Sequence, residues 1–295
     1  MSVRQPHVVR EIRRRPECWA TASGMLPEVG DALPRPGERV AVLGSGTSWF
    51  MAIAYAALRE GAGLGETDAF AASEFRATRR YDRTVVISRS GTTTEILRAM
   101  ADATSPVTAI TAVPGSPVAG AATHPVVLAF ADEESVVQTV FATTALTLLR
   151  GSLGAPLDKV IAQASDVVGA ASLPADVETA EQFTFLGSGW AYGVALEAGL
   201  KMREAAGSWT ESYPQLEYRH GPIAVAQPGR AVWVFGSPAE GILRDVRATG
   251  AAAVAGELDP LVDLIRVQSL AVRRAQARGL DPDRPRALAR SVVLP

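Results

Sequence analysis

The stretch Ser88-Arg89-Ser90-Gly91-Thr92-Thr93-Thr94-Glu95 concentrates hydroxyls where a buried apolar run gives way to a helical pattern. A strand-to-helix turn presents unpaired backbone N–H groups and the positive end of the helix dipole, and together these favour a phosphate. Ser88, Ser90 and Thr93 add hydroxyl hydrogen bonds, Arg89 adds a charge, and Gly91 permits the tight turn. Ordinary capping by Ser and Thr accounts for the same residues. The density of hydroxyls tilts the reading toward binding, as does the position at a strand's carboxyl end, where ligands of open α/β sheets gather. Gly44-Ser45-Gly46-Thr47-Ser48 has the same setting and offers a second wall. It is not a dinucleotide fingerprint, because Trp49 stands where the third glycine belongs, and Tyr192 does so after Gly187-Ser188-Gly189. No Gly-Lys-Ser/Thr loop occurs either, so nucleotide binding is not expected.

A second group of residues suits proton transfer. On a helix, Glu197, Lys201 and Glu204 fall at i, i+4 and i+7, on one face. The plainer reading is a solvated face with a weak ion pair. Downstream, His220 sits in the turn-like Glu217-Tyr218-Arg219-His220-Gly221-Pro222, where a histidine titrates near neutrality. A lone loop histidine is more often incidental, but a carboxylate with a histidine fits aldose–ketose chemistry, which needs a base at carbon and an acid at the ring oxygen. The three histidines, His7, His124 and His220, lack metal-ligand spacing, and the single Cys18 allows neither a disulfide nor a thiolate cage. No metal or cofactor is expected.

The elements that must position these residues alternate strand and helix. Val8 to Leu33 has helical periodicity broken by Pro16, and Pro34-Arg35-Pro36-Gly37 ends this arm. Strands are expected at 40–43, 84–87, 107–111 and 126–129, with helices over 48–58, 92–103 and 136–149. Continuous apolar strands between helices imply a parallel sheet covered on both faces. The pattern then repeats. Phe183-Thr184-Phe185-Leu186-Gly187-Ser188-Gly189 mirrors Val40-Ala41-Val42-Leu43-Gly44-Ser45-Gly46, and Val232 to Pro238 mirrors Val85 to Ser90. Two copies of one α/β unit follow, joined near 162–180. The second copy of the hydroxyl-rich turn, Gly236-Ser237-Pro238-Ala239, has lost most hydroxyls and one N–H, so a single phosphate site is expected per chain.

Composition agrees with a globular enzyme. The 295 residues are 47% hydrophobic and 20% charged, with net charge −2. That balance offers no general attraction to nucleic acid or to an acidic membrane. The basic runs Arg13-Arg14-Arg15 and Arg273-Arg274 are read as solvated helix faces. Neither a signal-peptide core nor a membrane-length apolar run is present, which points to a reducing, cytoplasmic setting.

Taken together, Glu11-Ile12 with Pro16, Gly46-Thr47-Ser48, Ser88-Arg89-Ser90-Gly91, Ala195 to Glu204 and Arg219-His220-Gly221-Pro222 resemble the SIS (sugar isomerase) family over nearly the whole chain. The likeness is to the isomerase half of glucosamine-6-phosphate synthase and to the amino-sugar-phosphate deaminase/isomerases, and the tail from Asp281 to Val292 looks like the synthase's tail. The resemblance implies an α/β fold of two tandem SIS-type three-layer units, each a mostly parallel sheet flanked by helices. The expected organisation is a helical arm over 1–36, a phosphate-binding domain over 37–165, a second domain over 166–280, and a tail over 281–295 covering the site. It also implies roles. Thr47, Ser48, Ser88, Arg89, Ser90 and Thr93 would hold a sugar's 6-phosphate. Glu204 would move the proton between C1 and C2, assisted by Lys201 with Glu197 nearby. His220 would aid ring opening in the partner subunit's site, which requires a homodimer.

Two departures qualify this. Nothing resembles a glutaminase domain, and Ser2 rather than a cysteine follows Met1, so the chain is not expected to draw ammonia from glutamine itself. Arg290 stands at the position of the family's Schiff-base lysine, and arginine forms no imine. Arg290 is instead expected to hold an oxygen or phosphate through its fork of donors. Val140 likewise stands where relatives often carry lysine. The sequence therefore suggests a cofactor-free phosphosugar isomerase or deaminase/isomerase, with a non-catalytic sugar-phosphate sensor as the alternative.

Overall fold

The computed structural model describes residues 5–169 and 173–294. The arm comprises α1 (His7–Arg13), α2 (Arg15–Gly24) and the short α3 (Leu26–Val29). Pro16 divides the first two as expected: it lies in the opening turn of α2, where its missing N–H has no intrahelical partner to lose. The first half then runs β1 (Val40–Gly44), α4 (Thr47–Gly61), β2 (Thr67–Ala71), β3 (Arg83–Ser88), α5 (Thr94–Asp102), β4 (Val107–Thr111), α6 (Pro117–Ala121), β5 (His124–Val127) and α7 (Phe141–Ser152). After α8 (Leu157–Val167) and α9 (Ala175–Glu178), the second half runs β6 (Gln182–Gly187), α10 (Ala191–Ala206), β7 (Trp209–Pro214), β8 (Arg230–Phe235), α11 (Ile242–Ala248), β9 (Ala252–Val254) and α12 (Pro260–Ala277).

Both sheets are wholly parallel. The first has the order β2-β1-β3-β4-β5 and the second β7-β6-β8-β9, so the same crossover pattern occurs in each. Strand residues alternate between faces. Val40, Val42, Val85 and Ile87 of the first sheet share one continuous core with Phe183, Phe185, Trp233 and Phe235 of the second. The outer faces pack separately, Leu43 and Val86 against Ile96 and Met100 of α5, and Leu186 and Val234 against Ile242 and Val246 of α11. The halves touch through α4 and α10. A Cβ on Gly193 would lie 2.5 Å from the Phe50 carbonyl oxygen, so only glycine allows this crossing.

Several sequence expectations need revision. The helix expected from residue 136 begins at Phe141, because the buried Glu133 carboxylate accepts from the N–H groups of Thr139, Val140 and Phe141 and so fixes the helix start. The fourth strand is His124–Val127, and residues 129–131 form a tight turn instead. Edge strands β2 and β7 gave no apolar run because their side chains are largely half-exposed. The expected boundary at 165–166 falls inside α8. Nor are the arginine runs simple solvated faces. Arg15 is fully buried and donates to Gln268 of α12, while Arg274 donates to the Glu178 carbonyl and stacks over Phe183. No helix of the described residues is long and apolar enough to cross a membrane.

Candidate active site

The turn from Ser88 to Thr93 joins the end of β3 to the start of α5, at the carboxyl edge of the first sheet. Gly91 is in the left-handed region at φ 65°, and a Cβ there would meet Ser116 Oγ at 2.1 Å. Both facts require glycine. Ser88, Arg89 and Ser90 are buried, as are Thr47 and Ser48 in the opening turn of α4. Ser45, Ser48, Ser88, Ser90 and Thr93 line one small cavity of about 30 Å³ together with Arg89, Gln138 and Arg290. That is room for roughly two waters. The two turns singled out in the sequence thus face the same small space.

The guanidinium of Arg89 points its donors at carbonyls: Ser135 at 2.9 Å, Val136 at 3.2 Å and Arg290 at 3.1 Å. Its pKa is lowered by burial, with Glu133 opposing. Arg290 is also engaged by protein, donating to the Glu133 carbonyl and pairing with Asp132. The tail follows it across the turn. Ser291 Oγ lies 3.1 Å from Ser90 Oγ, 2.9 Å from Thr92 Oγ1 and 3.4 Å from Thr93 Oγ1. The Val292 carbonyl accepts from Thr94 N–H at 3.2 Å, and Leu294 N–H donates to Thr94 Oγ1 at 2.9 Å. Upstream, Asp283 accepts from the N–H groups of His7 and Val8, and its carbonyl accepts from Val136 N–H, tying tail, arm and loop together. Ser291 was not singled out by its sequence, since a serine in a polar tail carries no local signal.

Glu197, Lys201 and Glu204 do share a face of α10, and it is not a solvated face. Glu197 and Lys201 are buried to 0% and 1% exposure of their side chains, and Glu204 to 18%. Lys201 Nζ donates to Glu204 and stands 3.5 Å from Glu197 Oε1. Burial pushes the Glu197 carboxyl up to about 8, with Lys201 pulling the other way and Glu204 adding to the rise. Burial lowers Lys201, but the two carboxylates outweigh it and hold its pKa above the ordinary value. Burial thus favours the protonated form of Glu197, and Lys201 directs its charge-assisted hydrogen bond at Glu204. Glu204 also borders an open cleft of about 340 Å³ with Arg203, Arg284, Arg286 and Leu288. No residue lines both this cleft and the hydroxyl cavity, and tail residues border each. His220 is exposed in the turn after Glu217–Arg219, and no hydrogen bond or ion pair joins it to the three α10 residues.

Comparison with known proteins bears on this geometry. No family model matches the chain. Over 98% of its length it is 29% identical to the glutamine–fructose-6-phosphate aminotransferase (isomerizing) of Methanothermobacter thermautotrophicus, of which it spans 56%. Among solved structures, glucosamine-6-phosphate deaminase of Thermotoga maritima superposes with TM-score 0.81 at 22% identity, covering 98% of this chain and all of that one. The C-terminal domain of the glucosamine–fructose-6-phosphate aminotransferase of Francisella tularensis does so with TM-score 0.77 at 21% identity, covering 96% and 99%. In fold, the chain matches both of these solved structures over nearly its whole length, as two parallel α/β units in tandem, and in sequence it is similar to the aminotransferase over the same span.

Proposed function

We propose that this chain is a cofactor-free isomerase or deaminase/isomerase of a sugar bearing a 6-phosphate, working as a homodimer in the cytoplasm. The observation that carries the reading is the pairing of a hydroxyl-rich turn at a sheet's carboxyl edge with a buried Glu-Lys-Glu group on one helix face. Ser48, Ser88, Ser90 and Thr93 bind the phosphate, with Arg89 holding the turn in shape through its three carbonyl contacts, whereas Thr47, which the sequence also suggested, lies outside the cavity and turns its hydroxyl to Glu197. Glu204 takes the proton from one sugar carbon and returns it to the next. Lys201 positions Glu204, and the protonated Glu197 keeps a second negative charge away from it. His220, exposed and unengaged by these residues, acts in the partner subunit's site on the ring oxygen. The names of the similar proteins, a fructose-6-phosphate aminotransferase and a glucosamine-6-phosphate deaminase, support amino-sugar phosphates as the substrate class.

The tail bears on access. Ser291 and the Val292 carbonyl bond to the hydroxyls and the N–H of the phosphate turn, so a ligand that binds there displaces the segment from Arg290 to Leu294 from those groups. The Arg290 fork, already bonded to Asp132 and Glu133, serves as a clasp for that segment rather than as a nucleophile. This clasped tail is also what favours the second reading, a sugar-phosphate sensor whose signal is tail release. A panel of sugar 6-phosphates and amino-sugar 6-phosphates, read for thermal shift and for turnover, separates the two. A shift with turnover supports the enzyme, a shift alone the sensor, and no shift with any member contradicts both.

A further inference from the structure

The hydroxyl cavity is lined by two side chains with a buried polar atom that has no partner: Arg89, through Nε, and Gln138, through Oε1. The remaining Arg89 donors are satisfied by carbonyls, and both Nη atoms of Arg290 are bound to Asp132 and Glu133. Arg89 Nε and Gln138 Oε1 are thus left without a protein partner on side chains that line the cavity.

The position of Gln138 is rigidly set. The loop from Asp132 to Val140 is pinned by the Glu133 carboxylate, which accepts from Thr139 and Val140 N–H, the latter at 2.8 Å. On the other side, Glu11 of α1 accepts from the N–H of Glu134 and Ser135 and from the Ser135 hydroxyl. Gln138 thus stands on a braced backbone with its side chain at the wall of the cavity. A buried amide oxygen without a partner costs its desolvation, and a rotation of 180° about the last torsion exchanges it for the NH2 at almost no steric cost.

We propose that Gln138 is a phosphate-binding and specificity-determining residue of this site, turning its amide NH2 onto a phosphate oxygen while Arg89 Nε donates to a second. The proposal rests on the reading of the cavity as the phosphate site. The cavity would then distinguish a tetrahedral phosphate, with oxygens in both directions, from a planar carboxylate.

The experiment is calorimetric titration of the full chain with fructose 6-phosphate, glucosamine 6-phosphate and inorganic phosphate, using the parent, Gln138→Met and Gln138→Glu. Melting temperatures of each variant establish that it is folded. Methionine keeps the length and removes both donor and acceptor, and glutamate keeps the shape but replaces the donor with negative charge. Gln138→Met should weaken binding about tenfold or more, the loss of one hydrogen bond to a charged group, and Gln138→Glu should weaken it further still. Binding by Gln138→Glu equal to or tighter than that of Gln138→Met would overturn the proposal, because the side chain would then accept from the ligand or lie apart from it. If the parent binds none of the three while Ser48, Ser88 and Ser90 are intact, the phosphate reading itself fails, a result distinct from the variants binding as the parent does.

Discussion

The two halves close the same strand-to-helix turn in different ways. In the first half, the hydroxyls of Ser90, Thr92 and Thr93 meet Ser291 of the chain's own tail, and the Thr94 N–H that follows donates to the Val292 carbonyl. In the second half, the matching turn after β8 is filled from within. Gln215, 1% exposed, accepts from Ala239 N–H at 2.6 Å and donates to the Ser237 carbonyl at 3.1 Å. A side chain fixed on the same domain cannot leave without local unfolding, whereas a terminal segment can. The duplicated turn has thus become a permanent joint in one copy and a space with a removable occupant in the other. The second half carries the buried Glu197-Lys201-Glu204 group of α10 instead.

The largest expected effect tests that division of labour. Glu204→Gln keeps the shape of the α10 group but cannot accept a proton, so turnover of the responding phosphosugar should fall about 10²- to 10⁴-fold while calorimetric affinity stays the same. An equal fall in affinity would place Glu204 in binding rather than in proton transfer.

The turns themselves come next. Ser88→Ala with Ser90→Ala removes two hydrogen bonds to a charged group, each about 1.5–3 kcal/mol, so phosphosugar affinity should drop by about a hundredfold or more with the melting temperature nearly kept. Gln215→Ala should do the reverse. It leaves buried backbone groups unsatisfied and should cost stability, about 1–3 kcal/mol, without changing affinity. The comparison breaks if both pairs of measurements move together.

A smaller, pH-dependent effect belongs to Glu197. Its carboxyl is raised to about 8 from an ordinary 4.5, so between those values the folded chain binds a proton that the unfolded chain has released. Stability contributed by that proton is complete below the unfolded value and declines as pH rises toward the folded one. Glu197→Gln has no such dependence, so its stability relative to the parent should increase from pH 5 to pH 8 in denaturant titrations. A constant difference across that window would mean that Glu197 is already charged at pH 5.

The smallest effect concerns the clasp. Arg290 and Asp132 are each 39% exposed, and such a pair is worth roughly 0–1 kcal/mol. Arg290→Ala should leave global stability within that margin yet speed proteolytic cleavage after residue 280, as measured by mass mapping of timed digests.

How much of this was legible in the sequence depends on the range of the physics involved. The parallel core strands announced themselves as apolar runs, and the repeat of Val40–Gly46 in Phe183–Gly189 gave the two-unit layout. The hydroxyl turn and the face holding Glu197, Lys201 and Glu204 were local patterns, readable from spacing alone. Burial was not, and the face of α10 that reads as solvated is covered by the packing of α10 against α4, α12 and β7. Arg15 shows the same limit, since a triple-arginine run looks solvated until Gln268, 253 residues away, is brought beside it. Contacts such as Ser291 with Ser90, or Gln215 with Ala239, join distant positions through single polar atoms and leave no periodic trace.

The central claim is that each chain holds one phosphate site, in the first half, open only when the tail gives way. Calorimetric titration of the parent with its best-bound sugar 6-phosphate should give a stoichiometry of one per chain. A chain truncated after Leu288, which removes the segment that fills the turn, should bind the same ligand with unchanged stoichiometry and a faster association rate. A stoichiometry of two per chain, or one per chain that persists at full affinity in the Ser88→Ala, Ser90→Ala variant, would contradict the account.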